Sequence, residues 1–496
     1  MTECCKPLAY RLRNGVTCAQ KSGAPLLVLD FPLKSILLKP SWKPVFEFLN
    51  STKGYISLDE IIFHGNQTDP DKVEIFLNHL VCRGFLEQEG LSRLVDYPHV
   101  SIIIPVRNRP EDIASCLQSL REIDYPPEKV EIIVVDDAST DNSPDVVSRF
   151  PVTLIAIKEH KQASFCRNLA AERAQGEILA FIDSDCLADP LWLKELVPAF
   201  KDPLLGAVGG AVDSYFKEEG LDRYERVKSS LKVGFWFRRS REGENFFYVP
   251  SCNLVVKRDI FLELGGFKED LHVGEDVDFC WRMQDGGYNL EYRPTGLIYH
   301  KHRNRLGAFA RRRFDYGTSE PLLQQAHTDR IKKLIFPPAE TFFWLAAILS
   351  VVFSSAPLLG LSALSLMAGS LFKFIRVRRE GIPVGYPRVF AAVFRSYLAF
   401  VYHICAFVSR YYLILAIIIF PFAPWVSAMI FGMHLIAGCV EFFTKKPELN
   451  PFAFLLFFTV EQLSYQLGVW WGCFGRWYFH PVNPKVVMTS ATGKTV

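Results

Sequence analysis

The triplet Asp183-Ser184-Asp185 sets two carboxylates two residues apart, directly after the apolar run 178–182. Oxygen donors at that spacing can converge on one hard cation, Mg2+ or Mn2+, and a cation so held can neutralise a leaving diphosphate. The same triplet also serves as a loop or helix cap, so its weight comes from its neighbours. A second acidic pair, Asp136-Asp137, closes the apolar run 130–135 and can hydrogen-bond the base or ribose of a nucleotide, although Ser139 or Asp141 capping a helix is the plainer reading of the turn. Glu275-Asp276 follows Gly274 at the start of a helical segment. There Asp276 is a candidate general base for a hydroxyl and Glu275 its catalytic companion, while a first-turn carboxylate can equally be a dipole partner. Arg167, shortly before the metal strand, can meet a diphosphate or sit exposed on a helix. His300, at the end of the short apolar run 297–299, is a metal or phosphate ligand or a structural histidine.

Positioning these groups needs strands that end together. Residues 100–106, 130–135 and 178–182 are predominantly apolar runs separated by helical segments such as 110–120, the pattern of a parallel sheet in an α/β domain. Each run delivers polar residues at its carboxyl end, and in an open α/β sheet that edge is where ligands bind. Pro105, Val106 and Arg109 at the first edge join Asp136, Asp137, Arg167, Asp183 and Ser184 as candidate donor-binding residues. Asp183, Asp185 and His300 are the candidate metal ligands.

At 496 residues the chain has room for about three domains. Its 56 Lys and Arg nearly balance 53 Asp and Glu, which leaves no polycationic surface for nucleic acid. Twelve cysteines without a C-x-x-C pair read as reduced, mostly buried thiols. The first fifteen residues lack the apolar core of a signal peptide, so the amino terminus is expected in the cytoplasm.

Towards the other end, residues 341–372 hold no Asp, Glu, Lys or Arg across 32 residues, long enough to cross a bilayer. A second such run, 411–440, contains Pro421 and Pro424, and the stretches 396–409 and 449–475 are interrupted or flanked by charge. The span count stays open. Before residue 95 come three β-rich runs (16–20, 25–30, 35–38) and helical stretches at 42–49, 58–63 and 69–82, a small strand-plus-winged-helix module.

Taken in order, residues 100–108, Val134 to Asp141, Asp183-Ser184-Asp185, Gly265-Gly266-Phe267 and Gly274-Glu275-Asp276 resemble family 2 glycosyltransferases. The resemblance implies a GT-A type nucleotide-sugar-binding α/β domain with a parallel-rich central sheet, a Mg2+ or Mn2+ ion, and transfer with inversion. By that likeness Asp137 meets the nucleobase, Asp185 the metal and Asp276 the acceptor hydroxyl. The segment 249–253 resembles the loop at the donor sugar and acceptor, making Ser251, Asn253 and Glu275 acceptor-binding candidates, with Cys252 in place of the usual small residue. No Gln-x-x-Arg-Trp element follows the base, which argues against a long-chain polymer synthase.

The amino-terminal module resembles PqqD-type peptide chaperones, which bind a precursor peptide by strand addition. The whole order is similar to the glycosyltransferases of the mycofactocin system. It implies four parts: a PqqD-like α+β module at 1–95, the catalytic domain at 96–335, a helical membrane region at 336–480 and a tail at 481–496. The implied donor is UDP- or GDP-glucose, and glucose would pass in β linkage to a mycofactocin precursor peptide or its excised product. The catalytic domain is expected to face the cytoplasm at the membrane. A membrane enzyme acting on a lipid or envelope polysaccharide is the first alternative, and an inactive membrane-tethered peptide-binding scaffold the second.

Overall fold

The structure is a computed structural model that describes residues 6–240, 247–302, 305–330 and 332–488. The chain divides into two compact units. The first comprises Met1–Leu12, Thr52–Phe309 and Pro447–Leu449, and the second Arg13–Ser51, Ala310–Lys446 and Asn450–Val496. Residues of the segment 1–95 thus contribute to both.

The first unit is built on an eight-stranded sheet. From one edge the strands run Thr153–Ile157, Val130–Asp137, Val100–Val106 and Ile178–Phe181, all parallel. Leu254–Lys257 follows, antiparallel to both its neighbours. Leu205–Gly209 and Asn289–Tyr292 then run parallel to each other, and Arg238–Arg239 closes the far edge. This mixed, parallel-rich sheet, with Leu254–Lys257 and Arg238–Arg239 reversed, is of GT-A type. Apolar clusters cover both faces, as the unbroken Val and Ile runs require. One cluster packs Ile102, Ile104 and Val134 against the Pro110–Leu120 helix, whose first position is the proline expected there.

A second, three-stranded sheet sets the geometry of the site. Cys186–Ala188 pairs antiparallel with Ile298–His300, which pairs parallel with Val212–Ser214. The register places Cys186 opposite His300, so the residue after the acidic triplet meets a histidine more than a hundred positions away. A third small sheet joins Ile56–Ser57, Ala9–Leu12 and Leu86–Glu89. Beside them lie the Leu58–His64 helix, closed by a Ser57/Glu60 capping box, and the Pro70–Cys82 helix, capped by Asp69.

In the second unit, Val16–Lys21, Ala24–Leu29 and Lys34–Leu37 form an antiparallel meander. Leu26 and Val28 pack with Leu366, Val377, Val389 and Val393 of the long helices. Four helices, Ala356–Arg379, Tyr386–Ile419, Pro424–Lys445 and Pro451–Arg476, are long and apolar enough to cross a membrane, which associates the protein with one. The break after Ile419 falls at the two prolines in the 411–440 run. The helix Leu306–Ala326 runs close to Pro451–Arg476 at paired glycines. A Cβ on Gly468 would stand 2.0 Å from the Phe314 carbonyl oxygen, so only glycine permits that approach.

Candidate active site

The acidic groups converge because strand ends and one helix start share a rim. Ile182 extends the Ile178–Phe181 strand by donating to the Ile103 carbonyl at 3.2 Å, after which Asp183-Ser184-Asp185 turns away. Ser184 is buried within this turn. Gly274, at φ +87°, is the residue before the Glu275–Asp285 helix, and that left-handed conformation lets the chain swing Glu275 and Asp276 into the first helical turn.

Arg167 ties the two acidic clusters together. Its side chain is buried, with Nη2 donating to Asp183 Oδ1 at 2.5 Å and Nη1 to Glu275 Oε1 at 3.0 Å. The guanidinium centre also lies 5.7 Å from the Phe267 ring centroid. Burial alone would lower its proton affinity, but Asp183 and Glu275 reverse that and hold it firmly charged. Arg109 does the same for the other half of the triplet: Nη1 pairs with Asp185 Oδ2, and its backbone N–H is fixed by Ser143 Oγ at 2.9 Å. Asp185 is nearly enclosed; burial raises its carboxyl, yet His300 and Arg109 together bring it below the ordinary range. His300 Nε2 lies 3.6 Å from Asp185 Oδ1.

Asp276 is the perturbed acid of the site. Burial, reinforced by the Glu275 charge, pushes its carboxyl up to about 7 against the backbone N–H groups of Ser251 and Val277 that favour ionisation. A carboxyl titrating near neutrality is matched to abstracting a proton from a hydroxyl. Ser251 also donates from its hydroxyl to Glu275 at 3.2 Å.

Two expected residues stand differently. Asn253 is fully buried: Oδ1 accepts from Trp192 Nε1 at 2.8 Å, and Nδ2 donates to the carbonyls of Ala211 at 2.8 Å and Gly296 at 2.9 Å. Those bonds occupy both ends of its amide, so it braces the loop and offers nothing to an acceptor, a correction to the expectation from its position. Asp137 has both carboxylate oxygens engaged by the turn before the Gln162–Arg173 helix, through the backbone N–H groups of Lys161 and Gln162 and through His160 Nδ1. Its neighbour Asp136, also buried, accepts from Ser139 N with Oδ2 and leaves Oδ1 without a partner among the described residues. Pro105 and Val106 lie alongside, in register with Val135 and Asp136.

The donor set fits a divalent cation. The ligand atoms of Asp185, Cys186 and His300 lie within 4.8 Å of one another, and His300 Nδ1 is buried with no partner among the described residues. The Arg109 guanidinium supplies positive charge beside Asp185, where a cation would also be held. Sequence reasoning missed Cys186, because nothing local indicates that it faces His300 across a sheet.

In sequence the chain is similar to known proteins. Residues 101–265 match the family description "Glycosyl transferase family 2". Glycosyltransferase AglE of Haloferax volcanii is 30% identical over 241 residues, 47% of this chain and 76% of that protein. The chain belongs to glycosyl transferase family 2. This family 2 glycosyltransferase is also 26% identical over 400 residues to the pre-mycofactocin glycosyltransferase of Mycobacterium tuberculosis, across 78% of its own length and 82% of the relative's. Among solved structures it is similar to the mannosyltransferase PcManGT from Pyrobaculum calidifontis in complex with GDP-Man and Mn2+, at 21% identity and TM-score 0.39, over 66% of this chain and 92% of that one.

Proposed function

We propose that the enzyme is an inverting, metal-dependent glycosyltransferase that moves glucose in β linkage from UDP- or GDP-glucose to a peptide-derived acceptor, a mycofactocin precursor peptide or its excised product. The observation that carries the reading is the Asp276 carboxyl, raised to about 7 at a rim it shares, through Glu275 and Arg167, with the Asp183 carboxylate.

Asp276 takes the proton of the acceptor hydroxyl as that oxygen attacks the anomeric carbon, and the nucleoside diphosphate leaves from the opposite face. A Mg2+ or Mn2+ ion held by Asp183, Asp185 and His300 would supply charge neutralisation for that leaving group. Arg167 and Arg109 hold the triplet carboxylates in place and add positive charge near the diphosphate. Asp136 Oδ1, buried and unpartnered among the described residues, is suited to accept from the nucleoside, with Asp137 shaping the loop beside it. Ser251 and Glu275 face the acceptor.

The strands and helices before residue 95 are assigned to peptide recognition, in the PqqD manner, and the catalytic unit to the cytoplasmic side of the membrane. The likeness to the pre-mycofactocin glycosyltransferase, which spans most of both chains, supports this acceptor. The four apolar helices favour a second reading, a lipid-linked acceptor.

A donor and acceptor panel tests both. Detergent-solubilised protein with Mn2+ or Mg2+ is expected to release nucleoside diphosphate fastest from one glucose donor when the peptide-derived acceptor is present. Release stimulated only by polyprenyl phosphate would replace the acceptor; release from no nucleotide sugar would remove the transfer reading.

A further inference from the structure

Cys186 gives the metal-binding rim a donor that an oxygen-only cation site does not need. It follows Asp185 directly, is fully buried, and stands in register with His300. The ligand atoms of the three residues lie within 4.8 Å of one another. A second buried thiol, Cys252 on the Ser251–Asn253 turn, belongs to the same core cluster but not to this group of ligand atoms. A carboxylate, an imidazole and a thiol make a borderline-to-soft donor set. Mg2+ prefers oxygen ligands, whereas Zn2+ and its congeners take nitrogen and sulfur at short range in tetrahedral geometry. The buried, unpartnered His300 Nδ1 is a nitrogen that neither the described residues nor solvent satisfies.

We propose that Asp185, Cys186 and His300 form a thiophilic-metal site that captures Zn2+ or Cd2+ and inhibits the enzyme. The inference rests on the proposed role of Asp185 and His300 as cation ligands. Capture exchanges the Cys186 S–H bond for a sulfur–metal bond and releases one proton to solvent, with no change of oxidation state. It withdraws Asp185 from the catalytic cation.

Cd2+ is the probe, added to the full-length solubilised protein without donor. The wild type is expected to show an ultraviolet thiolate-to-cadmium charge-transfer band that Zn2+ abolishes by competition and excess Mg2+ does not. Cys186→Ser loses the band, and Cys252→Ser keeps it. Cadmium NMR of the wild type, which needs no variant to fold, is expected to report sulfur in the coordination shell. A band undiminished in Cys186→Ser, or a cadmium shift typical of oxygen and nitrogen ligands alone, overturns the proposal. Wild-type donor turnover with Mn2+ separates it from the transfer reading. A band without turnover removes the reaction and keeps the thiol site; turnover without a band removes the thiol site and keeps the reaction.

Discussion

The backbone N–H of Ser251 donates to Oδ2 of Asp276 over 3.2 Å, so the loop expected to meet the acceptor and the acid expected to activate it move as one piece. The Ser251 hydroxyl reaches Glu275 at the same distance. Any displacement of that loop therefore changes the environment that raises the Asp276 carboxyl.

The first consequence is a pH profile. A general base acts only when ionised, and burial with Glu275 nearby places the carboxyl of Asp276, the proposed base, at about 7. Turnover at saturating donor is expected to fall about tenfold between about pH 8 and about pH 6, following the ionised fraction of one group. A rate flat across that interval would exclude Asp276 as the base.

Replacing the acid separates activity from stability. Asp276→Asn is expected to lower turnover by about 10²–10⁴-fold, the usual contribution of a general base, while donor binding persists. The folded-state carboxyl lies above its ordinary value, so it favours folding fully below that value and its contribution is lost as pH rises through about 7. The neutral amide escapes this loss, so the variant's melting temperature should exceed the wild type's by more at pH 8 than at pH 5. A variant less stable than wild type at pH 8 would contradict the burial argument.

At the cation site, Asp185→Ala should abolish the Mn2+ dependence of donor binding in calorimetry. The variant removes the carboxylate that, among the described residues, lies beside both Arg109 and His300. Donor affinity that still responds to Mn2+ would move the metal elsewhere.

Arg167 tests the scaffold. Arg167→Gln leaves Asp183 and Glu275 without the buried cation that joins them, and removing one partner of such a group typically costs about 3–5 kcal/mol. Chemical denaturation should show a loss of that order, and Arg167→Lys should recover only part of it, because one ammonium cannot fork between two carboxylates.

Much of this was legible in the residues themselves. The strand over Val100–Val106 and the helix over Pro110–Leu120 are read directly from an apolar run interrupted only by Ser101 and a proline at a helix start. The acidic residues at strand ends were equally visible, because polar groups that close a buried strand have to lie at a sheet edge. Asn253 was misjudged because an amide beside a reactive loop looks the same in sequence whether it faces a ligand or, as here, Trp192 and two carbonyls. The short strands at Cys186–Ala188 and Ile298–His300 carry too few residues for periodicity to reveal their partner.

Local chemistry, then, determined what this protein has to work with: apolar runs that must be strands or spans, a glycine that must start a turn, and carboxylates too costly to bury without purpose. Tertiary structure alone decided who meets whom. Arg167 between Asp183 and Glu275, and Cys186 opposite His300, are contacts set by sheet register and the packing of distant segments. Such pairings depend on the free energy of the whole core, and no window of neighbouring residues contains it.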